Sequence, residues 1–310
     1  MGKYQILIIN LQKSEVLIGE NFVNEAIWQF VGVWNLDLFI AMNLAGATIW
    51  YLWAVARAKR HGGWPAWMTT CFLLGLGLLA LAYLGPLPAW SHTFFWVHMT
   101  QHLIVMMAAA PLLVLGAPVT LAFRASSPAT RRRWILPILR SRAVRILTNP
   151  ILTWLFFATV LLGLHFTPFY NWALTNHDAD YFIEQPLYLI AAFLFYFPLI
   201  GSNLQPRRPA PAMRLLSMAL MMLPETITGA VIYFASVVLY PAFPVDRPFG
   251  PDPMGDQQLA GAMMWALVMV IDSFWMMLAA VDWFNSEERS GRRVDAEIHA
   301  EIEAEVTKGT

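Results

Sequence analysis

The stretch "HMTQHLIVMMAAAPLLVLGAPVTLAF" (98–123) decides the fold of this chain, because most of it is apolar enough to cross a membrane as a helix. A spanning helix needs roughly 20 mostly apolar residues. The stretch nevertheless opens with His98, Gln101 and His102, and ionisable side chains inside a membrane are costly and usually functional. It therefore predicts both a membrane helix and a site near one end of that helix.

The composition of the whole chain supports a membrane location. The 310 residues are 58% hydrophobic and 13% charged, whereas soluble domains are about 25% charged. We therefore expect an all-α, polytopic membrane protein with one membrane domain. The formal net charge is zero, so the sequence has no basic signature of a nucleic-acid partner. The single cysteine, Cys71, excludes an intrachain disulfide and a Cys-x-x-Cys motif.

Seven stretches are long and apolar enough to be spanning helices: about 33–56, 66–87, 94–121, 149–169, 182–201, 215–241 and 257–284. They predict an extracytoplasmic segment at 1–32, a seven-helix membrane domain at 33–284 and a cytoplasmic tail at 285–310. In the tail, apolar residues at four-residue spacing predict an amphipathic helix, which either docks on a partner or is solvated. The long loop 122–148 is typical of an interfacial amphipathic segment.

The distribution of positive charge predicts the orientation of the helices. Alternate loops, beginning with the one after the first helix, hold 17 of the 20 Lys and Arg residues. The opposite face holds only Lys3, Lys13 and Arg247. Because cytoplasmic loops carry the excess of Lys and Arg, we expect the N-terminus outside and the C-terminus inside.

In this orientation, five of the seven histidines lie at or near the outer face: His92, His98, His102, His165 and His177. His98 and His102 are four residues apart, so their side chains share one face of the helix, and Met106 continues that side. Imidazole suits copper, zinc or iron, and a thioether favours cuprous ion. The spacing predicts a metal or cofactor site of His98, His102 and Met106, with His165 at similar depth. The structural alternative is that both histidines form hydrogen bonds to neighbouring helices or to lipid headgroups.

Two carboxyl groups are expected deeper in the membrane, Glu225 in the sixth helix and Asp272 in the seventh. No Lys or Arg lies within any predicted span. A bare carboxylate there is very costly, so each group is expected to be protonated, hydrogen-bonded or in contact with water. They indicate either a proton or ion path or structural polar contacts between helices.

Three segments stand out along the chain: "HMTQHLIVMMAAAPLLVLGAPVTLAFR" (98–124), "GLHFTPFYNWAL" (163–174) and "DQQLAGAMMW" (256–265). They resemble signature regions of the CtaG family of multi-pass proteins, which are needed to assemble caa-type cytochrome c oxidase. They occur in the family's order and cover the third to the seventh helix. The resemblance implies a role in oxidase biogenesis, commonly interpreted as copper insertion on the extracytoplasmic side.

The residues and the resemblance together predict a non-enzymatic carrier in a bacterial inner membrane. It is expected to hold copper, as Cu(I), near the periplasmic face and to assist maturation of cytochrome c oxidase. Its partners are the lipid bilayer and subunits of the oxidase or of another membrane complex. The expected ligands are His98, His102, His165 and Met106, and His177 is expected to capture the ion first. The alternatives are a haem-binding electron-transfer protein, with two opposed histidines, and a structural subunit that binds no metal.

The chain departs from the family at one position. Relatives often have Glu-His where this chain has Glu184 followed by Gln185. Loss of an imidazole at 185 predicts either a changed set of ligands or loss of the original role.

Overall fold

The computed structural model of the protein describes residues 25–60, 62–201, 204–205 and 208–308, and these ranges contain helices and no strand. Six helices are long and apolar enough to cross a membrane, and a bent helix pair makes a seventh span if the pair is counted as one. The all-α, polytopic fold is therefore confirmed. We number the helices as follows: α1 Leu38–Lys59, α2 Ala66–Trp90, α3 Phe95–Ala125, α4 Pro150–His165, α5 Asp180–Ile200, α6 Pro211–Phe234 and α7 Pro253–Lys308.

The fourth span is the bent one. α4 ends at His165, and a second helix, Pro168–Thr175, leaves it at 70°. Pro168 disfavours a helical conformation at the preceding residue, and Thr167 is extended, with φ −118° and ψ 161°. The predicted helix 149–169 is thus broken near its end, which leaves His165 in the last turn of α4.

Two predicted helix boundaries were wrong. The first span begins at Leu38 and not at about 33, because Asp37 caps it by accepting the N–H of Ile40 at 2.9 Å. The sixth ends at Phe234 and not at about 241. Residues 235–252 are not helical and contain four prolines, which lack the N–H that a helix interior needs.

α3, which contains the quoted stretch, lies at the centre of the bundle. In the most apolar 18-residue stretch of α3, 61% of the residues are buried, whereas the corresponding share in α1 is 17%. One face of α3 packs with α1 and α2 around Tyr51 and Leu121. The other packs with α4 to α7 in the main core, around Met106 and Phe195. Polar side chains on α3 are therefore enclosed by protein.

Two π-helical sections flank the region where the histidines lie. The first, Ile104–Ala109, follows His102 directly. Pro111 has no N–H to offer the carbonyl of Met107, and Trp275 Nε1 donates to that carbonyl at 2.8 Å. The second section, Asp180–Glu184, opens α5. π-helical turns occur frequently at functional sites.

α6 and α7 touch backbone to backbone. A Cβ atom added at Gly229 would lie 2.9 Å from the backbone nitrogen of Trp265, and one added at Gly261 would lie 2.6 Å from the backbone nitrogen of Tyr233. Only glycine permits this approach, as is common where membrane helices cross closely. The contact brings Glu225 of α6 and Asp272 of α7 into the same part of the interior.

The two ends of the chain are only partly described. Residues 25–32 are helical, and the rest of the predicted segment 1–32 lies outside the described residues. The predicted tail is helical and continues α7 without interruption to Lys308, but its apolar side chains are not among those described. The predicted amphipathic loop is also helical, in short pieces between Pro128 and Leu147.

Candidate metal centre

Three buried side chains converge inside the bundle: His98, His102 and Glu184. The Nε2 atoms of the two histidines are 2.7 Å apart, and Glu184 Oε1 lies 3.4 Å from His98 Nε2 and 3.2 Å from His102 Nε2. The side chains of His98 and Glu184 are fully buried, and that of His102 is 5% exposed. These three ligand atoms form a group that could hold a metal ion.

The backbone explains this convergence. His98 and His102 lie one turn apart on α3, which places both rings on the face that meets α5. Glu184 is the last residue of the π-helical section that opens α5. Glu184 is also four residues after Asp180, the same spacing as in the histidine pair. This second spacing marks two carboxylates at the start of α5, but it does not identify Glu184 as the partner of the histidine pair, because the section is π-helical and not α-helical.

The donor atoms fit a metal ion in both number and separation. Ligand atoms about 2.0–2.1 Å from a tetrahedral metal lie about 3.3 Å from one another. Both nitrogen–oxygen distances are close to that value, and the two nitrogens must separate slightly to reach it. Glu184 Oε2 is buried and has no hydrogen-bond partner among the described residues, so the second oxygen is also available to a cation.

The Nδ1 atoms of His98 and His102 lack hydrogen-bond partners among the described residues. Both atoms are buried. Metal-bound histidines usually donate this second N–H to a carbonyl, a carboxylate or water. The rings are held instead by aromatic neighbours, Tyr170 and Phe243 around His98 and Tyr188 around His102.

His165 lies near the cluster but is not part of it. Its Nδ1 is 2.7 Å from the Leu161 carbonyl oxygen and therefore donates to it, which leaves the lone pair on Nε2. That Nε2 atom is buried and has no partner among the described residues. Tyr170 stacks on His165 at 5.2 Å and also contacts His98, while Tyr188 contacts both His102 and His165. The two tyrosines thus pack against both His165 and the histidine pair, and His165 lines the same small cavity as His102.

Met106 lines a small cavity beside the cluster. The cavity has a volume of about 20 Å³, enough for one water-sized species, and its lining includes Met99, His102, Met106, His165 and Met264. Thioether groups therefore lie beside one of the cluster's imidazoles. The side chain of His177, the remaining predicted ligand, lies outside the described side chains, so its role stays a prediction.

A second polar group adjoins the cluster on the side of the segment between α2 and α3. His92 Nε2 lies 3.2 Å from Asp180 Oδ2, and Gln185 Nε2 donates to Asp180 Oδ1 at 3.0 Å. The hydrogen bond to the Asp180 carboxylate raises the pKa of His92. The His92 ring is 6.5 Å from that of His98 and 40% of its side chain is exposed. Gln185 thus bonds to Asp180 beside the cluster, and its replacement of an imidazole removes none of the three converging ligands.

Glu225 and Asp272 lie close together, below the cluster. Glu225 lines the same small cavity as His102, and it interacts electrostatically with Asp272. Tyr196 donates to Asp272 Oδ1 at 3.4 Å, while both Glu225 oxygens have no hydrogen-bond partner among the described residues. A proton or ion path and a structural role both stay predictions for this pair.

Asp256 and Gln257, which open α7, have a structural role. Asp256 accepts the N–H groups of Phe95 at 2.9 Å and Trp96 at 2.8 Å and pairs with Arg247 at 2.5 Å. It therefore caps the start of α3, where Phe94 provides no side-chain cap. Gln257 accepts the N–H of Leu239 at 2.7 Å and thereby holds the segment after α6. Asp256 therefore fixes the start of the helix that carries His98.

Comparison with known proteins agrees with the resemblance. A family model described as Cytochrome c oxidase caa3 assembly factor (Caa3_CtaG) matches residues 49–286. Uncharacterized proteins of Mycobacterium bovis and Mycobacterium tuberculosis are each 28% identical over 272 residues, which are 85% of this chain and 41% of theirs. One from Mycobacterium leprae is 25% identical over 277 residues. The chain spans about two fifths of the length of these relatives. No solved structure matches it. Since the family model covers well over half of the sequence, including His98, His102 and Glu184, the chain belongs to the cytochrome c oxidase caa3 assembly factor family, CtaG.

Proposed function

We propose that this protein holds a copper ion at His98, His102 and Glu184 and supplies it during the assembly of a cytochrome c oxidase. The observation that carries the proposal is the convergence of three ligand atoms in a buried site within a chain of this family. Burying an acid and two imidazoles around one point is costly unless they are paired or bind a cation. The role is that of a carrier, with the ion as cargo, and requires no catalysis.

The donor set bears on the oxidation state of the ion. Imidazole binds copper, zinc and iron, while carboxylate oxygen is a harder donor and thioether sulfur a softer one. The expectation of Cu(I) came from the histidines and Met106. Glu184 adds an anionic oxygen, which favours Cu(II) at the cluster itself. Cu(I) would instead use the two imidazoles with a thioether from the adjoining cavity.

The proposal places the cluster near the extracytoplasmic face of a bacterial inner membrane. The support for this orientation is the excess of Lys and Arg in the loops at the opposite end of the helices. His92 and Asp180 then lie between the cluster and the outer surface. They line a pocket of about 600 Å³ that also includes Asp37 and Gln101, and this pocket is a route by which a cation could reach the cluster.

The orientation predicts where fused reporters will work. A reporter that is active only in the cytoplasm should be active after Arg60, Arg133, Arg208 or the C-terminus, because these sites lie with the positive loops. It should be inactive after Ser91, Asn176 or Asp252. Reporter enzyme activity, normalised to the amount of fusion protein, provides the measurement. If the fusions after Ser91, Asn176 and Asp252 were active and the others inactive, the orientation would be reversed and the cluster would lie on the cytoplasmic side.

The proposal also predicts the metal content and the spectrum of the purified protein. After loading with copper and removal of excess ion, we expect about one copper per chain by elemental analysis, since the described residues contain one group of three ligand atoms. The optical spectrum should contain no Soret band. A chain that binds neither copper nor zinc would refute the metal site, and a Soret band would favour a haem protein.

The haem alternative is weakened by the geometry. Axial histidines must face each other across a macrocycle, but His98 and His102 have their Nε2 atoms 2.7 Å apart. Tyr170 contacts both His98 and His165, the other candidate ligand, and Tyr188 contacts both His102 and His165, so aromatic rings occupy space that a macrocycle would need. The cavity that His102 and His165 share is about 20 Å³, whereas pockets for cofactors measure about 300–1,000 Å³.

A further inference from the structure

A large pocket lies at the other end of the bundle from the metal cluster. It has a volume of about 1140 Å³ and is formed by the short helices between Pro128 and Leu147 together with the start of α4 and α6. Its lining includes Phe123, Leu139, Arg140, Arg145, Asn149 and Met213. None of these residues belongs to the proposed copper site, so the pocket requires an explanation of its own.

Two of the three arginines that line the pocket have no ion-pair partner among the described residues. Arg140, Arg145 and Arg208 line it. Arg208 pairs with Asp282 at 3.0 Å, but Arg140 and Arg145 form no ion pair with any residue that the structure describes. The sequence contains no Asp or Glu between Asp37 and Asp178. A counter-charge for these two arginines has to come from outside this part of the chain.

The walls of the pocket and the loop around it are apolar. Leu136, Leu139 and Met213 line the pocket beside the arginines. On the same loop, Trp134 is 60% exposed and Ile138 is 58% exposed. Exposed apolar side chains interleaved with arginines are typical of a segment that lies in the membrane interface, with its apolar face among acyl chains. The pocket therefore opens where lipid headgroups and acyl chains meet.

We propose that this pocket binds an anionic phospholipid, with its phosphate at Arg140 and Arg145 and its acyl chains against the apolar wall. Arginine suits phosphate because its planar guanidinium donates two parallel hydrogen bonds to phosphate oxygens. Basic pockets between membrane helices are known to accept anionic headgroups. Such a lipid would fix the loop between α3 and α4. The site is independent of the copper proposal and stands if that proposal fails.

Native mass spectrometry of the full chain, titrated with phosphatidylglycerol or phosphatidylcholine, tests the proposal. The wild-type protein should retain phosphatidylglycerol in preference to phosphatidylcholine. The paired substitution Arg140→Gln and Arg145→Gln should weaken phosphatidylglycerol binding about 10- to 30-fold, as expected for losing two arginines near an anionic headgroup. The matched control is Arg132→Gln with Arg133→Gln, which removes equal charge from the same loop at positions that do not line the pocket; binding should change less than about twofold.

Three results would overturn the proposal. Equal losses in the two paired variants would mean general attraction to a positive loop. Equal retention of both lipids by the wild-type protein would mean that no anionic site exists. Displacement of phosphatidylglycerol by millimolar inorganic phosphate would identify a free-phosphate site without a role for acyl chains. The last two measurements use the wild-type protein and are decisive even if a variant fails to fold.

Discussion

Single substitutions at His98, His102 or Glu184 are expected to abolish stoichiometric copper binding. Losing a residue that only supports a metal ligand typically costs 10- to 100-fold in affinity, so losing a ligand should cost about 100-fold or more. His98→Ala and His102→Ala remove one nitrogen each. Glu184→Gln keeps the volume of the side chain and removes its charge. Competition with a chelator of known affinity, on monodisperse protein, measures the change.

The combined variants test whether the three residues act as one site. The paired substitution of His98 and His102 by Ala should cost little more than either alone, because residues in one network are not additive. Gln185→Ala is the matched control, since Gln185 is buried beside Glu184 but bonds to Asp180; it should keep full copper binding. Met106→Leu should weaken Cu(I) more than Cu(II) if the thioether is a ligand. Full copper content in the paired variant would make the cluster a structural hydrogen-bond network.

The histidine pair could be predicted from the sequence, but its partner could not. His98 and His102 are joined by a local spacing that any helix converts into proximity. Glu184 lies more than 80 residues away and reaches the pair only because α5 packs on α3 and begins with a π-helical section. Such a section shifts the register of the side chains, so an α-helical pattern does not indicate which face Glu184 occupies.

His165 illustrates the opposite difficulty. Its depth in the membrane was inferred from its position in α4, and depth alone suggested a ligand of the same site. The structure places it beside the three converging residues and not among them, with Tyr170 and Tyr188, from different segments of the chain, in contact with both His165 and the histidine pair. Its role as a ligand stays a prediction. The depth of a residue in the membrane follows from its position along a single helix. Which neighbours its side chain faces depends on how several helices pack together.

The long sixth helix was overestimated for a similar reason. Residues 235–240 are mostly apolar and continue the hydropathy of α6. The chain nevertheless leaves the helix at Ala235, and Gln257 supplies the hydrogen bonds that an extended backbone there would lack. Its side chain accepts from Leu239 N–H and donates to the Val237 carbonyl at 3.1 Å. The side chain of Gln257 thus stabilises the backbone after α6.

Substitution of Asp256 is expected to be the most destabilising change at the start of α7. Asp256→Ala leaves the Arg247 guanidinium, whose side chain is 5% exposed, without its carboxylate. It also leaves the N–H groups of Phe95 and Trp96 without their acceptor. Breaking a buried ion pair by removing one partner costs about 3–5 kcal/mol. We expect a loss in that range, measured as the free energy of unfolding in detergent.

The two members of the ion pair should not be equivalent. Arg247→Leu leaves Asp256 with two backbone donors at the positive end of α3, which compensate much of its charge. Asp256→Ala leaves a buried cation and two unpaired donors, so it should be the more destabilising of the two. Asp252→Ala is the control for losing an exposed cap, since the Asp252 side chain accepts the N–H of Gly255 at 3.0 Å; it should cost about 1 kcal/mol. The reverse order for Arg247 and Asp256 would contradict this assignment. Because Asp256 fixes the turn that precedes His98, Asp256→Ala should also weaken copper binding while all three ligands are present, and Asp252→Ala should not.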